Sequence, residues 1–177
     1  MTQREIRAVY DKVVANYGLS EHVVYLASGG LVDVKGPMTS DVDILLMTAD
    51  YNNLDHIFTD AVKKPRPDKS RCYYEFIVDG RTVSVCATDD PSAKRSIIHR
   101  KNELELLKFP LLTVCAIMLK KNGLGTEAAW AAVLGFKEGD PYEIMGREAE
   151  YLLHIAEKRE DELREALHRN CGPINLG

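Results

Sequence analysis

The chain has 177 residues, of which 45% are apolar and 28% charged, with a formal net charge of −4. That is enough chain to bury one sizeable core, it excludes a disordered or collagen-like polymer, and its acidic balance gives no general attraction to nucleic acid. Cys72, Cys86, Cys115 and Cys171 form no C-x-x-C pair and no disulfide framework, so reduced thiols are expected.

The start, Met-Thr-Gln-Arg-Glu-Ile-Arg, lacks an apolar targeting segment, and no later run approaches membrane-spanning length. A soluble cytoplasmic protein with no membrane partner is the expectation. Thr2 and Glu5 have capping-box spacing, and Ile6, Val9, Val13 and Tyr17 then recur at helical intervals until Gly18. Val23 to Ala27 is short and β-branched and reads as a strand feeding a glycine turn. Lys35-Gly36-Pro37 marks a turn, and Asp41 to Met47 reads as the second strand.

Asp50 is placed to cap a helix carrying Leu54, Ile57, Phe58, Ala61 and Val62, which Pro65 and Pro67 would end. Cys72 to Val78 and Arg81 to Cys86 alternate on either side of Asp79-Gly80, the signature of a hairpin with a type I′ turn. This predicts four strands and two helices before residue 90. From Pro91 the pattern turns helical: Lys94 to Leu107, Pro110 to Gly123, Thr126 to Leu134 and Met145 to about His168. The expected organisation is a sheet-and-helix core over 1–90 and a helical region over 91–177 packed on it as one compact unit.

The chemistry is concentrated in Ser28-Gly29-Gly30, ten further residues, and then Asp41-Val42-Asp43. Alternate strand positions share a face, so Asp41 and Asp43 are expected side by side while Val42 and Ile44 point into a core. Two adjacent carboxylates repel, and a hard divalent cation, Mg²⁺ or Mn²⁺, relieves that. Glycines allow close backbone approach, and their N–H groups can cradle phosphate, with Ser28 adding a hydroxyl.

A strand, a Gly-Gly pair, a spacer of this length, an Asp-x-Asp on the next strand and then a hairpin resemble the DNA polymerase beta-like nucleotidyltransferase superfamily. The resemblance covers roughly residues 20 to 90. It implies an α+β fold with a small mixed sheet, flanking helices and a C-terminal helical region. It also implies transfer of a nucleoside monophosphate from an NTP to a hydroxyl acceptor, with the divalent ion on Asp41 and Asp43 and the nucleotide held by Ser28, Gly29, Gly30 and, in the spacer, Lys35. The acceptor stays open between a small molecule, an RNA end and a protein side chain.

One part of that pattern is missing. Members of the superfamily usually carry a third carboxylate on a later strand, between apolar residues, and here the corresponding stretch is Val83-Ser84-Val85. A neutral hydroxyl supplies neither the charge nor a base of useful pKa. The hairpin register puts Glu75 directly opposite Ser84, with Cβ atoms about 5 Å apart, so Glu75 is the candidate replacement. Asp89 and Asp90, just beyond, read first as a turn and helix cap. Two rival functions follow: a nucleotide-binding pseudoenzyme, motivated by Ser84, and a nucleic-acid or partner-binding module, motivated by the basic segment from Lys63 to Arg71. The cluster Lys94-Arg95 and His99-Arg100-Lys101 reads as a solvated face, and the five histidines show no ligand spacing.

Overall fold

The computed structural model of the chain describes residues 3–27, 41–65 and 70–171. It is an α+β structure built on an open, mixed, five-stranded sheet. The described residues separate into two compact units, one running to Ile97 and the other from Ile98.

In the first unit, helix α1 (Gln3–Asn16) turns Ile6, Val9 and Val13 inward, and all three are buried. Strands β1 (Val23–Leu26), β2 (Val42–Met47), β3 (Val62–Pro65), β4 (Cys72–Val78) and β5 (Arg81–Thr88) are ordered β1-β2-β5-β4-β3. Only the central pair, β2 with β5, is parallel; the other three pairs are antiparallel. Asp79 and Gly80 both have positive φ, 50° and 73°, as a type I′ turn requires, and the hairpin pairs Val78 with Arg81 and Glu75 with Ser84. Lys12 of α1 pairs with Asp79 at the hairpin tip.

Burial alternates along these strands and defines two faces. Val42, Ile44 and Leu46 of β2, Val83, Val85 and Ala87 of β5, and Cys72, Tyr74 and Phe76 of β4 form the core face with α1. Tyr17 anchors its aromatic end, with ring centroids 5.2 Å from Phe58 and 4.8 Å from Phe76. The Tyr17 hydroxyl donates to Asp60 at 2.7 Å.

The helix expected after Asp50 is not formed. Residues 50–61 make a run of turns, with short hydrogen bonds from Asn53 to Asp50, from Ile57 and Phe58 to Leu54, and from Ala61 to Phe58. Asn52-Asn53 and Thr59-Asp60 are turn formers that compete with helical bonding. The buried Tyr74 hydroxyl also accepts the Leu54 N–H and donates to the Tyr51 carbonyl, which pins the loop from outside. Leu54 and Phe58 are still buried, so the apolar spacing reported burial but not conformation. Val62–Pro65 joins the sheet as a fifth strand, at an edge where proline is tolerated.

The second unit consists of α2 (Arg95–Leu106, preceded by a 3₁₀ turn over Pro91–Lys94), α3 (Pro110–Lys121), α4 (Thr126–Val133), α5 (Pro141–Met145) and α6 (Ala149–Cys171). The 3₁₀ turn and the start of α2, up to Ile97, fall in the first unit. Leu106, Leu112, Ala116, Trp130, Met145 and Leu152 are central to its core. Phe109 cannot cap α3 with its side chain, and the buried Glu160 carboxylate of α6 does so instead, accepting the Leu111 and Leu112 N–H groups at 3.2 and 3.1 Å. Helix α5 was not expected; its signal is Asp140-Pro141, with Asp140 accepting the Tyr142 N–H and proline in the first turn. Met145 therefore ends α5, and the last helix begins at Ala149.

Two measurements check this account. Tyr74→Phe strands the Leu54 N–H and the Tyr51 carbonyl and is expected to lower the unfolding free energy by about 1–2 kcal/mol in urea denaturation. Burial, reinforced by Asp60, pushes the Tyr17 phenol from 10.0 up to about 12. The folded value lies above the unfolded one, so this stabilisation is complete below pH 10 and is lost as pH rises through about 12. The stability advantage of the wild type over Tyr17→Phe is expected to shrink over that window.

Candidate functional site

Strand β2 begins between the two aspartates. Val42 and Ile44 are fully buried, while Asp41 and Asp43 on either side are exposed, so the strand's alternation lifts both carboxylates out of the core face. Strand β1 runs antiparallel to β2, and just past its end the Ala27 N–H donates to the Asp43 carbonyl at 2.8 Å. The chain thus leaves β1 beside Asp43, and the residues that follow Ala27 in sequence are Ser28, Gly29 and Gly30. Those three and Lys35 lie outside the described residues.

On the other side of β2, the parallel register sets Asp43 beside Ser84, and Ser84 in turn lies opposite Glu75, which pairs with Val62. Asp43, Ser84 and Glu75 therefore form one row across three strands on one face. At about 4.8 Å per strand, the Asp43 and Glu75 backbones stand about 10 Å apart. The Glu75 carboxylate binds the Lys64 ammonium of β3, on the side away from β2. Asp41 and Asp43 supply hard oxygen donors on one exposed face, which suits a divalent cation of the Mg²⁺ type. Among the described residues, no three His, Cys, Asp or Glu side chains are grouped to hold a metal ion.

The basic segment is electrostatically occupied where it is described. Lys63 binds Asp55 at 2.8 Å, Lys64 binds Glu75, and Arg71 lies 3.6 Å from Asp90. Asp90 accepts the Ser92 N–H at 2.9 Å and its hydroxyl at 2.6 Å, capping the 3₁₀ turn. Those bonds, with Arg71 beside them, hold its carboxyl below the usual range.

In the helical unit, the face of α2 carrying His99, Asn102 and Glu103 is buried, which corrects the expectation of a solvated cluster as far as His99 is concerned. Lys94, Arg95 and Lys101 are exposed. The Asn102 amide donates to the Met145 and Arg147 carbonyls at 2.8 and 2.9 Å and so closes the end of α5. His99 packs edge-on against Tyr142, with centroids 4.0 Å apart, and a Cβ on Gly146 would stand 3.4 Å from its Nε2. Its Nδ1 lies 3.5 Å from the Glu127 carboxylate. The sequence signal for this cluster was the i, i+3, i+4 spacing of three polar residues on a helix whose fourth inward position is Leu106.

The chain belongs to the family described as Domain of unknown function (DUF4269), which matches residues 15–147. No curated protein matches the chain, and no solved structure does.

His99 beside it holds the Glu127 carboxyl below 4.5 in the folded protein. A depressed folded pKa contributes stability that is present above pH 4.5 and lost as pH falls through the folded value. Wild type is therefore expected to lose stability on acidification below pH 4.5 more steeply than Glu127→Gln, as read by urea denaturation across that range.

Proposed function

We propose that this protein is a metal-dependent nucleotidyltransferase with a polymerase beta-like core, moving a nucleoside monophosphate from an NTP to a hydroxyl acceptor. The observation that carries the reading is the exposed Asp41–Asp43 pair at the start of β2, beside the strand end that leads into Ser28-Gly29-Gly30. The acceptor oxygen bonds to the α-phosphorus, the bond from that phosphorus to the bridging oxygen breaks, and pyrophosphate leaves with the electron pair. A divalent ion, when bound, neutralises the triphosphate and the charge that develops on the leaving oxygen. Asp41 and Asp43 would hold that ion, with Ser28, the Gly29 and Gly30 amides and Lys35 receiving phosphate oxygens. Glu75, on the same face as Asp43, is the carboxylate proposed to accept the proton of the attacking hydroxyl.

A second reading, a nucleotide-binding protein without transfer, is favoured by one observation: the residue beside Asp43 in β5 is Ser84, while the nearest carboxylate in the row is engaged by Lys64. A nucleic-acid-binding role is less well supported. Phosphate would have to displace Asp55, Glu75 and Asp90 from Lys63, Lys64 and Arg71.

Incubation with each α-labelled NTP, Mn²⁺ and cell extract is expected to transfer label to an RNA, protein or small-molecule fraction. Asp41→Asn and Asp43→Asn are expected to reduce transfer about 100-fold or more, since each removes several kcal/mol of ion-mediated stabilisation. Nucleotide binding without transfer would support the second reading. Transfer that survives both substitutions would overturn the first.

A further inference from the structure

We draw no further inference here: the strongest candidate, the buried side-chain cluster of His99, Glu127 and Tyr142 where α2, α4 and α5 meet, carries only the His99–Glu127 coupling already described, and nothing among the described residues shows a ligand reaching it.

Discussion

The parallel pairing of β2 with β5 is the constraint on which the sheet and the candidate site depend. Val42, Ile44 and Leu46 meet Val83, Val85 and Ala87 on the buried side of that pair, and all six are fully buried. A one-residue slip would turn both runs to the opposite face, so the burial of these side chains specifies the register strongly. The same register decides what stands beside Asp43 on the other face. Core packing on one side of the sheet and the chemistry on the other are thus set by a single alignment.

Parallel neighbours need a long connection, and here it is the chain from Thr48 to Gly80. That connection returns as the β4–β5 hairpin and adds β3 at the outer edge. Its cost in unsatisfied backbone is met by one side chain in particular, since the Tyr74 hydroxyl bonds to both Tyr51 and Leu54 in a stretch without regular structure. The helical unit solves the same problem with polar side chains. Glu160 caps α3 and Asn102 closes α5, so both residues are buried for reasons of backbone satisfaction. His99 differs from them, because it packs against the Tyr142 ring and faces the Glu127 carboxylate, and neither contact satisfies a backbone group.

Much of the first unit was legible because its signals are local. The Asp79-Gly80 turn needs two positive φ values, which few residue pairs accept, so the hairpin and the pairing of Glu75 with Ser84 could be counted out from it. Asp41-Val42-Asp43 alternates as a half-buried strand must. The stretch from Asp50 to Pro65 was not legible, because Leu54, Ile57, Phe58 and Ala61 recur at spacings shared by a helix and by a folded loop that packs onto the same core. Whether it coils was decided by Tyr74, twenty residues beyond Leu54. The partner of Lys64 was not legible for the same reason: Glu75 becomes its neighbour only when β3 joins the sheet.

The sequence by itself determined the two aspartates on one strand face, the hairpin with its register, the amphipathic first helix and the missing carboxylate at Ser84, since each depends on alternation, turn chemistry or residue type within a few positions. Tertiary structure alone decided that β2 and β5 are adjacent and parallel, that Asp43 therefore stands beside Ser84, that Glu75 is held by Lys64, and that His99 is buried against Tyr142 and Glu127. Those relations join residues 11 to 43 positions apart. They follow from which apolar faces bury one another, and no local pattern encodes that.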